Sequence, residues 1–370
     1  MGRLADLRYG GNWQCRAIAR FVRNSSFEPS RPIAIWRGMT DYRQPAEWAP
    51  HDAVWIGFPS HPELWEDDLE PARAEVVAFA RAVHAGGKGE RVILVAADEA
   101  SADRAAELAG DAAQVIVEPF GDIWLRDSAP IIVRGRDGLA ATDFGFNWWG
   151  GKYELPGDES IGARLAARTG HPVRTRDWIF EGGAIDVDGA GIGVTTEQCL
   201  LNPNRNPDLD RAAIEARLAD GLGVERLLWL GDGLANDHTD GHVDNLARFV
   251  APGVIAIPEP AGADDPNAAV YADARARALG FGLQVVGIPS PGAVESEGED
   301  GAEIIPASYM NFYIGNAAVV VPLYGAPNDE AAVAAIGALF PSRAVVGFRA
   351  DHILTGGGSF HCISQQIPAA

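Results

Sequence analysis

Between positions 53 and 97 the chain reads AVWIGFP (Ala53 to Pro59), then PARAEVVAFARAVH (Pro71 to His84), then RVILVAA (Arg91 to Ala97). The outer two are strand-like apolar runs and the middle one is alanine-rich and helical. The same alternation returns along the chain. ASADRAAELAG (Ala100 to Gly110) leads to QVIVEPF and PIIVRG, and LNPNRNP precedes the helix candidate DRAAIEARLAD (Asp210 to Asp220). NAAVYADARARALG (Asn267 to Gly280) precedes LQVVGIP, and NDEAAVAAIGALF (Asn328 to Phe340) precedes AVVGFRA. Apolar strands mixed with helices of this length predict an α/β architecture. The helices recur at roughly 40–60-residue intervals with two or three strands between them, which hints at ββαβ-like units without any residue-level repeat. No linker rich in Pro, Gly and Ser divides the sequence, so one domain over 39–370 is expected. The acidic stretch PGAVESEGEDGAEI (Pro291 to Ile304) reads as one exposed loop.

A chain of 370 residues, 47% apolar and 22% charged, can bury a sizeable core, and no apolar run is long enough to span a bilayer. The net charge of −21 argues against nucleic acid, which needs a basic stripe, and favours a small cationic ligand. Residues 1–38 run against this sign, with Arg3, Arg8, Arg16, Arg20, Arg23, Arg31 and Arg37 set against Asp6 and Glu28. They read as a disordered arm or, if Met39 is the natural start, as an over-extension. Cys15, Cys199 and Cys362 form a sparse, odd set that suggests reduced cytosolic thiols rather than a disulfide frame.

Four segments place polar residues against glycines. They are GDIWLRDSAP (Gly121 to Pro130), IFEGGAIDVDG with Glu181 before Gly182 and Gly183, DHTDGHVDN (Asp237 to Asn245), and GGGSFHCISQQIP (Gly356 to Pro368). In an extended chain His242 and Asp244 share a face, which suits a histidine working beside a carboxylate. His242, Asp244, His238 and His361 could alternatively ligate a metal. Cys362 becomes a nucleophile if a histidine or a cationic substrate favours its thiolate. The three glycines before it would let main chain approach a flat ligand. Cys199, among apolar neighbours, reads as core. Asp127, Glu181 and Asp244 sit in apolar surroundings where unpaired charge is costly. With few buried bases in view, the balancing charge would arrive with the substrate, and a guanidinium fork matches paired carboxylates. Trp124, Trp148 and Trp149 could stack on its plane.

These motifs together resemble the agmatine deiminase family of guanidine-modifying enzymes, which is related to bacterial peptidylarginine deiminase. WLRDSAP is similar to the family's WxRDxGP, FNWWGGKY to its FNxWGG, and DGHVDN to its xGHxDN. EGGAIDVDGAGIGVTTEQCLLNPNRNP is close to its EGG…DG…TTExCLLNxNRNP stretch, ASYMNFYI to SYxNFYI, and GGGSFHCISQQIP to GGGxIHCITQQxP. The likeness spans Trp48 to Pro368 and departs at Ser128-Ala129, where the family has Thr-Gly, and at Asp240, where Asn is common.

The resemblance implies a five-fold α/β propeller (pentein) of ββαβ units with the active site on the central axis. It implies cofactor-free, metal-free hydrolysis of agmatine to N-carbamoylputrescine and ammonia, a step of polyamine synthesis, through a covalent amidino-cysteine. Cys362 would be the nucleophile and His242 the general acid and base, while Asp127, Glu181 and Asp244 hold the guanidinium. Substrate contacts are expected from Trp124, Asn147, Trp149, Asn311, Gly357 and Gly358. The partner implied is a small guanidino cation in the cytoplasm, with no nucleic acid or membrane and with room for a homo-oligomer. Deimination of arginine residues or another guanidino compound, and a non-catalytic polyamine-binding module, are the competing readings. Agmatine, with a distal ammonium and no carboxylate, suits a region with Lys152 but no arginine.

Overall fold

The computed structural model describes residues 41–298 and 301–370. The arginine-rich segment, Cys15 and the question of Met39 lie outside them. Strand β1 (His51–Gly57) is buried at every position but Asp52, because it has a partner on each side. That is why it reads as a continuous apolar run rather than an alternating one. Helix α1 (Leu69–His84) buries Val76, Phe79, Ala80 and Val83, a helical spacing that lays one stripe on the core. It stops where Ala85, Gly86 and Gly87 turn left-handed at φ 49°, 63° and 86°. Strand β2 (Arg91–Ala96) then pairs parallel with β1. Helix α2 (Glu99–Ala109), capped by Asp98 through the Ser101 amide, leads to β3 (Gln114–Val117), parallel to β2.

The chain then repeats one order of elements. Strands β4 (Ile131–Gly135) and β5 (Gly138–Gly145) pair antiparallel, α3 (Asp158–Arg168) crosses over, and β6 (Val173–Ile179) returns parallel to β5. Next come β7 (Asp186–Val187), β8 (Ile192–Thr196), α4 (Arg211–Leu222) and β9 (Arg226–Leu230), with the same pairings. So do β10 (Arg248–Ala251), β11 (Val254–Glu259), α5 (Ala268–Phe281) and β12 (Gln284–Pro289). A hairpin, β13 (Val294–Gly298) and β14 (Gly301–Ile305), intervenes. The order resumes with β15 (Tyr313–Ile314), β16 (Ala318–Leu323), α6 (Asp329–Leu339) and β17 (Ala344–Arg349). The last strand, β18 (Ser364–Pro368), supplies the antiparallel partner of β1, so the first unit is completed from the far end of the chain.

The α/β expectation holds, and the hint of ββαβ units is met in the pairing topology. Two details differ. The acidic stretch expected as a loop is the β13–β14 hairpin, in which Val294 pairs with Ile305 and Glu295 with Ile304. Val294 and Ile305 pack on the core at its base, a burial that the surrounding charge obscures in the sequence. Helix α3, absent from the sequence reading, buries Ile161, Leu165 and Ala166. Among the described residues no helix is long and apolar enough to cross a membrane.

Candidate active site

One short turn stands immediately before the first strand of each unit, and these turns carry the site. The helical turn Leu125–Ser128 precedes β4 and holds Asp127. Glu181 opens the turn Gly182–Ala184 before β7, and His242 opens the turn Val243–Asn245, which carries Asp244, before β10. Asn311 ends the turn Tyr309–Asn311 before β15, and Cys362 lies two residues before β18. Hydrogen bonds tie the turns to one another. Arg126 N donates to Cys362 O at 3.0 Å and Gly183 N to Asp127 Oδ1 at 2.9 Å. Asn311 Nδ2 donates to Asn245 Oδ1 at 2.8 Å, and its Oδ1 accepts from the amides of His361 and Cys362.

The Cys362 thiol is 3.6 Å from Asp244 Oδ2 and accepts from Asn311 Nδ2 at 3.0 Å. Burial, reinforced by the carboxylates of Asp244 and Asp127, pushes this thiol well above its ordinary value. Asp244 is held by His361, whose Nδ1 lies 2.7 Å from Oδ2, while its Oδ1 is buried with no hydrogen-bond partner among the described residues. Burial opposes ionisation of Asp244, but the His361 contact outweighs it and lowers its pKa.

His242 is 1% exposed and lies between two carboxylates, with Nε2 3.3 Å from Glu181 Oε2 and Nδ1 3.6 Å from Asp127 Oδ1. Burial opposes its charge, yet Asp127, the Cys199 thiol and Glu181 together raise its pKa well above the usual histidine range. Glu181 is in turn paired with Arg205, whose Nε donates to both carboxylate oxygens at 2.9 and 3.3 Å. Burial raises the carboxyls of both Asp127 and Glu181. For Glu181 the contacts with His242 and Arg205 prevail and its pKa is lowered. For Asp127 burial prevails and the pKa is raised.

A cavity of about 390 Å³ opens beside the thiol. Trp124, Trp149, Asp127, Asp122, Gly356, Gly357, Gly358 and Cys362 line it, together with Glu66, Asp67, Asp68, Tyr153 and His238. Among the described residues no arginine or lysine lines it. The glycine triplet has a structural reason. A Cβ on Gly356 would stand 2.7 Å from Trp124 Cζ2, and one on Gly358 would stand 2.5 Å from Trp124 Cζ3 and 2.9 Å from Cys362 Cβ. The missing side chains therefore make room for the Trp124 indole as well as for whatever approaches the sulfur. Trp149, held at φ 54°, donates Nε1 to Asp127 Oδ2 at 3.0 Å. Asn147 is not brought to this wall. Its Oδ1 caps the Gly150 amide and its Nδ2 donates to Asn204 O, which fixes the turn that presents Trp149.

Several partners escaped the sequence reading. The expectation of few buried bases does not survive, since Arg126, Arg205 and Arg248 are all buried. Arg248 pairs with Glu47 at 2.8 Å, and Glu47 also meets His361 Nε2 at 2.8 Å, so His361 bridges two carboxylates. Neither Arg248 nor Glu47 lies in a glycine-rich segment, so no local pattern marks them. Cys199, expected as plain core, is buried but points its thiol at Glu181 Oε2 at 3.8 Å. Among the described residues, Glu181, Cys199 and His242 form the grouping close enough to suggest metal ligands, with donor atoms within 4.8 Å. Arg205 already occupies both Glu181 oxygens, so the arrangement is a satisfied ion pair rather than an open ligand set. Of the other candidate ligands, His361 has both ring nitrogens on carboxylates.

Comparison with known proteins places this arrangement. A family profile described as Porphyromonas-type peptidyl-arginine deiminase matches residues 43–368. An agmatine deiminase of Stutzerimonas stutzeri is 38% identical over 355 residues, covering 89% of this chain and 96% of its own. One from Pseudomonas aeruginosa strain LESB58 is 36% identical with the same coverage. The solved agmatine deiminase of Enterococcus faecalis superposes with a TM-score of 0.83 at 31% identity, covering 92% of this chain and 99% of its own. The chain therefore belongs to the Porphyromonas-type peptidyl-arginine deiminase family, the agmatine deiminases among them.

Proposed function

We propose that the protein hydrolyses agmatine to N-carbamoylputrescine and ammonia through a covalent amidino-cysteine. One observation carries this reading. A thiol pushed toward its neutral form by burial and by Asp244 and Asp127 opens on a cavity lined, among the described residues, by five acids and no basic side chain except His238. A cation bound there reverses the cost. It neutralises the carboxylates, offers N–H donors to the unpartnered Asp244 Oδ1, and lowers the thiol's proton affinity as the substrate arrives. The relatives named as agmatine deiminases support the choice of agmatine as substrate.

The steps follow from the positions. Asp127 and Asp244 hold the guanidinium, while Glu181, expected beside them, has both oxygens on Arg205 and faces His242 instead; Trp124 and Trp149 confine the guanidinium plane. The Cys362 thiol loses its proton to solvent as the cation binds, and the resulting thiolate, stabilised by the Asn311 Nδ2 donor, attacks the guanidinium carbon at a near-attack distance of about 3–3.5 Å. The carbon–nitrogen bond breaks as His242, kept protonated by Asp127 and Glu181, gives its proton to the departing nitrogen, which leaves as ammonia. A thiouronium remains on the sulfur. Neutral His242 then takes a proton from water as its oxygen adds to the same carbon; the carbon–sulfur bond breaks to return thiolate, and the remaining hydroxyl proton passes to solvent to leave the neutral ureido product.

The peptidylarginine reading has the family's descriptive name in its favour. A free arginine or a peptide, however, presents a carboxylate or carbonyl to a cavity whose lining, among the described residues, includes Glu66, Asp67 and Asp68 and no arginine. A distal ammonium fits those acids. We also infer that the five units are set round one axis as an α/β propeller, a reading supported by the repeated pairing order and by the hydrogen bonds between the turns that begin them.

The deciding experiment is mass spectrometry of agmatine incubated with the protein in 18O water, run beside free arginine and an arginyl peptide. One solvent oxygen gained and one ammonia lost, from agmatine by preference, is expected. Greater turnover of the peptide would reverse the substrate assignment. Undiminished turnover by Cys362→Ser would remove the covalent step, and loss of activity in chelator would favour the metallohydrolase alternative.

A further inference from the structure

Behind His242 runs a row of alternating charge. Lys152 Nζ donates to Asp240 Oδ1 at 2.6 Å, and Asp240 Oδ2 takes Arg205 Nη1 and Asn204 Nδ2. Arg205 turns its Nε to Glu181, and Glu181 Oε2 meets His242 Nε2 at 3.3 Å. Arg205 is fixed at every nitrogen, since Nη1 also reaches Asn204 Oδ1 and Nη2 reaches Thr239 O at 2.8 Å. Asp240 itself stands in the left-handed region at φ 64°, next to Gly241 at φ 84°, on the approach to His242.

We propose that Asp240 is a positioning residue that acts through Arg205 and Glu181 to set how firmly His242 keeps its proton, and hence the pH range of the acid–base steps. Arg205 is one cation shared by two carboxylates. While Asp240 takes part of that charge, Glu181 keeps more of its own negative charge facing His242. Without the Asp240 charge, Arg205 belongs to Glu181 alone and the field at the imidazole turns more positive. The other groups facing His242 are Asp127, Asp244 and the Cys199 thiol, and none of them touches Asp240. The groups facing Asp240 are Lys152, Arg205 and Asn204. This inference rests on His242 being the general acid and base of the deiminase reading.

The test uses Asp240→Asn, which keeps shape and tolerates the left-handed backbone, and Lys152→Met, which removes the cation at the far end. Ammonia release from agmatine is followed as kcat/KM against pH, and the His242 ring is titrated by NMR in protein carrying 15N-histidine. In Asp240→Asn both limbs of the profile and the His242 midpoint should move down by about 0.6 to 1.2 pH units, the shift that a unit charge makes over roughly 10 Å in a medium of effective dielectric constant near 20–40. In Lys152→Met they should move up by less, because that side chain is partly exposed. A fall in kcat with unmoved midpoints, or displacement of both variants in one direction, would overturn the proposal. Should Asp240→Asn fail to fold, the sign of the Lys152→Met shift decides. If the wild type releases no ammonia from agmatine, the functional reading fails while the NMR titration still judges Asp240.

Discussion

A methyl group at position 183 tests the site at its most crowded point. A Cβ built on Gly183 would stand 2.6 Å from His242 Nδ1, 2.8 Å from Asp127 Oδ1 and 3.2 Å from Asp244 Oδ2. Ordinary contact begins near 3.4 Å, so in Gly183→Ala the imidazole must retreat by about 0.8 Å or the turn Gly182–Ala184 must shift by as much. The turn cannot shift freely, because Gly183 N donates to Asp127 and a Cβ on the neighbouring Gly182 would already stand 2.2 Å from Arg126 O. Misplacing a reacting group by about 1 Å costs about 100-fold in rate, which corresponds to about 2.7 kcal/mol of barrier. Overpacking should also destabilise the fold by about 1–3 kcal/mol. Steady-state ammonia release from agmatine and urea denaturation measure the two effects separately. The comparison variant is Gly280→Ala on α5, where an added Cβ would meet, among the described residues, nothing within 4 Å beyond its own stretch of helix backbone. It should keep full activity and gain up to about 1 kcal/mol in helix propensity. If Gly183→Ala kept kcat/KM within about threefold of wild type, the claim that this turn, His242 and Asp127 form one fitted unit would fail.

Three more outcomes follow from the same contacts. Burial pushes the Asp158 carboxyl up to about 7 against the amides of Gly121 and Asp122, so the folded state holds that proton more tightly than the unfolded chain with its ordinary 3.8. Its contribution to stability is therefore complete below about pH 4 and lost as pH rises through about 7. Asp158→Asn, which keeps an acceptor without the charge, should flatten the loss between pH 5 and 8 seen in urea midpoints, and equal slopes would refute this. His361→Ala leaves Asp244 and Glu47 without their shared partner and should cost about 3–5 kcal/mol by chemical denaturation. A loss under 1 kcal/mol would mean that water replaces the ring. Asn311→Ala removes the donor to the Cys362 sulfur and should lower both kcat and the rate of iodoacetamide labelling of the thiol about tenfold. Unchanged labelling would show that Asn311 acts only on the backbone of His361 and Cys362.

Local pattern carried much of this protein. The run Ala53 to Pro59 became β1, the Pro71 to His84 run became most of α1, and Asp210 to Asp220 became most of α4, because periodicity and capping act within a few residues of chain. Glycines beside single polar residues marked the turns of Asp127, Glu181, His242 and Cys362, since a backbone that must pass close to other groups shows in composition. The tertiary structure alone decided which far-apart residues share a charge. Glu47 meets His361 and Arg248, Cys199 turns toward Glu181, and Asn147 is drawn off to cap Gly150. Those partnerships arise where turns from separate units meet, and the energy of a buried charge depends on which neighbours the fold brings within about 4 Å of it, which spacing along the chain does not encode.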